Sequence, residues 1–173
     1  MSGAKILGHR VHPMLVVFPL GLLGGSVAFD VAWLGTRDTT FTPVAYWLLV
    51  AGLLGGGVAL VFGLWDWLAI PPGTRAKRVG LQHAVANVTA LALFAVSWRL
   101  RAPADACVPG GPALGASFAG LFLALVGGWL GGELVERLGI GVEGDANPDA
   151  PSSLEPHRPV PPRAVARPAP LAR

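Results

Sequence analysis

Five polar residues are placed to act together within a largely apolar chain: His12, Asp66, His83, Asn87 and Glu133. Two neutral imidazoles facing each other across a flat apolar slot suit the axial positions of a b-type haem. Asp66, Asn87 and Glu133 would then orient the rings or contact propionates. The same nitrogen and oxygen donors suit a divalent metal such as zinc, iron or manganese. A variant of that reading uses the cluster to pass protons or ions. A further reading needs no ligand: Asp66 pairs with His83, Glu133 meets Arg137 one turn on, and His12 caps a helix, as in a structural or assembly protein. His9 makes a His-x-x-His spacing with His12 but precedes Pro13 and is expected outside the helix. His157 is given no role.

The elements that must carry these residues follow from hydropathy. Of 173 residues, 53% are apolar and only 13% charged, against about 25% charged in an ordinary soluble domain. Charges cluster and leave four apolar runs: Met14 to Leu34, Val44 to Ile70, Leu81 to Trp98 and Leu114 to Leu134. About 20 residues at ~1.5 Å each cross a ~30 Å hydrocarbon layer, so each run is long enough or nearly so to span as a helix. The alternation of a membrane barrel is absent. The fold expected is all-α: an integral membrane four-helix bundle, up-down-up-down, with a disordered C-terminal tail. The first run continues past Ser26-Val27-Ala28 and is read as a span, since a signal-peptide core is only about 7–15 residues long.

In that topology His12, Asp66, His83 and Glu133 reach the same membrane face. Thr74 is the expected N-cap of the third helix after Pro72-Gly73. His83 then lies about 13 Å along it, with Asn87 one turn deeper on the same face. Ionisable groups at membrane depth are costly unless paired or functional, which makes this cluster the leading site. Asp30, at the other end of the first helix, cannot join it and is expected to be solvated or paired with an arginine at the interface.

Lys5, Arg10, Arg75, Lys77, Arg78 and Arg137 share the side of the termini, against Arg37, Arg99 and Arg101 opposite. The positive-inside bias therefore places both termini on the cytoplasmic side. Six tryptophans, Trp33, Trp47, Trp65, Trp67, Trp98 and Trp129, lie near run ends as interfacial anchors, and no nucleic-acid partner is needed to explain the basic pI. Cys107 is alone, which excludes an intramolecular disulfide. Residues 1–142 form the four-span domain; 143–173, rich in Pro, Ala and Arg, form a flexible tail. No Gly-x-Ser-x-Gly elbow, phosphate-binding glycine loop or His-Glu-x-x-His pair occurs, so a hydrolase or nucleotide-using enzyme is not expected.

Close packing of small residues holds apolar helices together in lipid. Gly21 and Gly25, Gly52 and Gly56, Gly127 and Gly131, and Gly128 and Gly132 are each four apart, so each pair shares one helix face.

Three ordered stretches carry a resemblance. They are Gly8-His9-Arg10-Val11-His12-Pro13-Met14 running on to Phe29-Asp30; Gly63-Leu64-Trp65-Asp66-Trp67-Leu68 with Ile70-Pro71-Pro72-Gly73-Thr74-Arg75 and His83; and Gly127-Gly128-Trp129-Leu130-Gly131-Gly132-Glu133. Over residues 8 to about 142 the chain resembles the domain of unknown function 2231 family of bacterial membrane proteins. Two positions that are often histidine in that family are Val17 and Leu138 here, so any role of those histidines is absent. The resemblance implies a four-helix inner-membrane protein and, because some members are joined to a Rieske iron-sulfur domain, a redox partner of that type.

Overall fold

The computed structural model describes residues 3–102, 104–144 and 146–155; His157 and the tail arginines Arg158, Arg163, Arg167 and Arg173 lie outside the described residues. Two-residue strands β1 (Lys5–Ile6) and β2 (His9–Arg10) pair antiparallel around Leu7 and Gly8, both at positive φ. Helices α1 (Val11–Leu15) and α2 (Val17–Thr36) make one span with a break at Val16. The break has a covalent cause. Pro19 has no N–H for the Leu15 carbonyl, so one bond of the ladder is missing there, while Val16 keeps helical dihedrals (φ −63°, ψ −21°).

The other spans are α3 (Phe41–Ala69), α4 (Arg75–Arg101) and α5 (Gly111–Gly132). All four are long and apolar enough to cross a membrane. Each is longer than its apolar run because capping extends it. Arg37 at φ 59° ends α2, and the Asp38 carboxylate accepts from the Thr40 N–H at 2.9 Å as the chain turns into α3. Pro71 and Pro72 stop α3. Thr74 caps α4 as expected, accepting the Lys77 N–H at 3.1 Å. Beyond α5 the chain widens into a π turn, Glu133–Arg137, closed by Gly139 at φ 63°.

The bundle is turned inside out relative to a soluble one. Phe18, Leu54, Val61, Phe122, Leu125 and Trp129 are exposed on its surface, where lipid solvates them, while Ser26, Asp30, Thr42, Ser97, Arg101 and Ser117 are wholly buried. Such helices gain little from hydrophobic burial in lipid and associate through close packing and internal hydrogen bonds. Trp33 is a correction to the anchor reading: it is buried, with Arg37 stacked 5.0 Å from its ring centre.

The helices form two hairpins, α2 on α3 and α4 on α5, and the hairpins repeat one another. An offset of 71 carries buried positions of the first span onto the third: Pro19 onto Ala90, Leu23 onto Phe94, Ser26 onto Ser97, Asp30 onto Arg101. An offset of 68 carries the second onto the fourth: Ala45 onto Ala113, Leu49 onto Ser117, Gly52 onto Gly120, Ala59 onto Gly127. The close approaches repeat as well. A Cβ on Gly52 would lie 2.7 Å from the Leu23 side chain, and one on Gly120 would lie 3.0 Å from Phe94.

The glycine pairs divide in function. Gly52, Gly56, Gly127 and Gly131 each meet a side chain of another helix, and a Cβ on Gly25 would be in ordinary contact with Leu48 at 3.5 Å. Gly21, Gly128 and Gly132 face open space, where a Cβ would have no neighbour within 4 Å.

Candidate functional site

His12 lies in the first turn of α1, and His83 lies near the start of α4. Their rings meet with centres 6.3 Å apart and planes at 89°. Each is fixed by the neighbouring helix of its own hairpin. The His12 Nδ1 donates to the Ala59 carbonyl at 2.9 Å, and the His83 Nδ1 donates to the Gly127 carbonyl at 2.8 Å. A carbonyl can only accept, so Nδ1 carries a proton in both rings, and the Asn87 Nδ2 lies 3.5 Å from the His83 Nε2.

A glycine one turn along from each carbonyl makes room for the ring. A Cβ on Gly63 would lie 2.8 Å from His12 Cε1, and one on Gly131 would lie 3.2 Å from His83 Cε1. Asn87 completes this layer. Its Nδ2 donates to the His83 carbonyl at 2.8 Å, and it occupies the space left by Gly127, whose Cβ would stand 2.5 Å from that nitrogen.

The two carboxylates reach the same end of the bundle but neither binds an imidazole. Asp66 pairs with Arg10 at 3.2 Å, and Glu133 pairs with Arg75 at 2.6 Å. The expected pairs Asp66–His83 and Glu133–Arg137 are replaced by these, and His12 bonds a carbonyl of α3 where a helix-capping role was expected. The reason is reach: both arginines enter from the segment just before a histidine, and a guanidinium satisfies a carboxylate better than a neutral ring does. Among the described residues the buried Nε of Arg10 has no hydrogen-bond partner. Gly3 rests against the Asp66 carboxylate, Lys5 pairs with Glu143, and Ser153 meets the His9 Nε2 at 3.2 Å. His9 is thus in β2, outside the helix as expected.

The residues missed by sequence reasoning are backbone groups and glycines: the Ala59 and Gly127 carbonyls and Gly63. Carbonyls leave no mark in a sequence. Gly63, a glycine three residues before the acid of its helix, was the available signal.

At the opposite end, Asp30 is fully buried and not solvated. Arg101 grips it with two bonds of 2.6 Å, and the exposure of both side chains is 0%. Ser97 and Ser117 accept from the same guanidinium at 3.1 Å. Between the two polar layers Leu23, Val27, Leu49 and Phe94 form an apolar core.

Residues 8–144 match the family described as "Predicted membrane protein (DUF2231)". The chain belongs to this family. No curated protein and no solved structure matches it. Family membership and four span-length helices together make this a membrane protein in contact with a lipid bilayer.

Proposed function

We propose that this DUF2231 protein is a b-type haem subunit of a bacterial inner membrane, with both termini in the cytoplasm and His12 and His83 as the two axial ligands. The observation that carries the reading is the pair of imidazoles across the seam between hairpins, each held by a carbonyl at Nδ1. With ring centres 6.3 Å apart, His12 and His83 are the residues that would hold the haem iron.

The number of donors favours haem over a bare cation. Among the described residues no group of three or more His, Cys, Asp or Glu side chains could hold a metal ion, whereas closed zinc sites take four protein ligands and haem iron takes one or two from the protein. When bound, haem supplies one-electron transfer. The chain's own residues orient it: Ala59 and Gly127 fix the ring tautomers, Gly63 and Gly131 set the ring positions, and Arg10 and Arg75 offer cations to anionic groups at that end. The apolar layer of Leu23, Val27, Leu49 and Phe94 supports a cofactor in preference to a through-going proton or ion path. A Rieske-type protein is the redox partner this role calls for.

The test is an absorbance spectrum of the detergent-purified protein, oxidised and dithionite-reduced, with metal analysis of the same sample. A Soret band that shifts on reduction and disappears in His12→Ala and in His83→Ala is expected. A colourless sample that stays colourless after addition of haem b sinks the proposal.

A further inference from the structure

The two hairpins repeat each other about an axis running along the bundle, and positions facing each other across that axis must be equivalent: residue i of the first span against i+71 of the third. His12 and His83 meet this condition, and so do Asp30 and Arg101. The histidines are identical, as the repeat demands. The other pair is opposite in charge, and it is wholly buried.

We infer that Asp30 and Arg101 are a pairing key that makes the first hairpin complementary to the second and to no copy of itself, so that the two-histidine end assembles within one chain. Two first hairpins taken from two copies would bury two aspartates against each other, and two second hairpins would bury two arginines. Buried like charges without partners are strongly disfavoured in lipid. Building repulsion into the wrong pairing is how otherwise similar surfaces gain specificity. The key also sets height. Asp30 lies 18 residues beyond His12 and Arg101 lies 18 beyond His83, which along the unbroken α4 is five helical turns or about 27 Å. A slip of one hairpin against the other would separate both pairs at once.

The surroundings of the key show which half of the repeat has adapted to it. Around Arg101 stand Ser97 and Ser117, both within 3.2 Å of the guanidinium. The equivalent positions of the first hairpin hold Ser26, whose hydroxyl donates to the Leu23 carbonyl at 2.6 Å, and Leu49. One hydroxyl is therefore present on both sides, and the second only where the arginine is.

The inference is tested by exchange in the full chain, read as thermal unfolding and as monodisperse yield in detergent. Asp30→Arg alone and Arg101→Asp alone each bury like charges and are expected to lower the melting temperature by roughly 10 °C or to abolish folded yield. Asp30→Arg with Arg101→Asp is expected to recover most of the loss, because the repeat presents an equivalent site at each position. Adding Leu49→Ser with Ser117→Leu moves the second hydroxyl to the new arginine and is expected to recover more. An exchanged chain no better than the worse single variant, with or without the serine exchange, overturns the inference. Because none of these readouts involves haem, its failure is separable from failure of the proposed function.

Discussion

At the scale of single residues, the His12–His83 layer depends on what is missing from its neighbours. Gly63 has an imidazole where a Cβ would be, 2.8 Å from His12 Cε1. Gly63→Ala must therefore move a ring whose Nδ1 is tied to a carbonyl, a misfit expected to cost about 1–3 kcal/mol. Gly128→Ala adds its methyl to open space and is the matched control, expected to change the midpoint little. Denaturation midpoints of the two variants in one detergent decide this: equal midpoints would mean that His12 is not held as described.

Asp38 gives a second prediction at this scale. The Thr40 backbone N–H, and then the Thr40 side chain, hold its carboxyl below the ordinary value. A depressed folded pKa contributes stability that is present above the unfolded value and lost as pH falls through the folded one. The difference between wild type and Asp38→Ala should thus be constant from pH 7 to about 5 and shrink below about 4. Thermal midpoints measured at stepwise lower pH check the sign; a difference that grows on acidification would refute it.

At the scale of elements, capping and proline chemistry decide where the spans start and break. Thr74 accepts the Lys77 N–H and donates to the Pro71 carbonyl at 2.9 Å, so it joins the stop of α3 to the start of α4. Thr74→Ala is expected to cost about 1 kcal/mol, while Thr74→Ser should cost much less, as unfolding in a mixed-micelle series would show. This joint was legible in the sequence because Pro-Pro-Gly-Thr is a stop followed by a cap. The break at Val16 was not legible, although Pro19 was visible, because a proline in the first turns of a helix does not by itself say whether the helix starts there or is interrupted.

Asp30 and Arg101 show where legibility ended. Both stand near the ends of apolar runs, where hydropathy alone makes an exposed interfacial charge as acceptable as a buried pair. The distinguishing signs were relational: Ser97 one turn before Arg101, and equal 18-residue spacings from each histidine to its charge. The convergence of His12, Asp66, His83 and Glu133 on one end was legible from topology. Which partner each would choose was not, because Arg10 and Arg75 arrive from segments outside the apolar runs.

At the scale of the whole molecule, a four-span bundle made of two equivalent hairpins explains why its functional candidates come in pairs. At these offsets the halves share His12 and His83, Ser26 and Ser97, Ala45 and Ala113, Gly52 and Gly120, and Gly63 and Gly131, with six further identities, all of common apolar residues. The repeat becomes visible only when burial is laid over the sequence. The orientation proposed from the basic residues is open to direct test with Cys107, the sole cysteine, which sits half-buried in the loop between α4 and α5, at the end away from the histidines. A membrane-impermeant maleimide should label Cys107 in intact spheroplasts. A cysteine at Ser153, in a Cys107→Ser background, should label only after permeabilisation. The reverse pattern would place the termini outside.

The apolar layer of Leu23, Val27, Leu49 and Phe94 has an electrical consequence. Potential falls most steeply where a membrane is least polarisable, so this layer takes up most of the voltage across the protein. The histidine layer, lined by carbonyls and two ion pairs, stays close to the potential of the water on its own side. A charge moved through the full field is worth about 2.3 kcal/mol per 100 mV; one gained or lost at His12 and His83 would meet only a small part of that. For haem held there as proposed, a midpoint potential should hardly respond to an imposed membrane voltage.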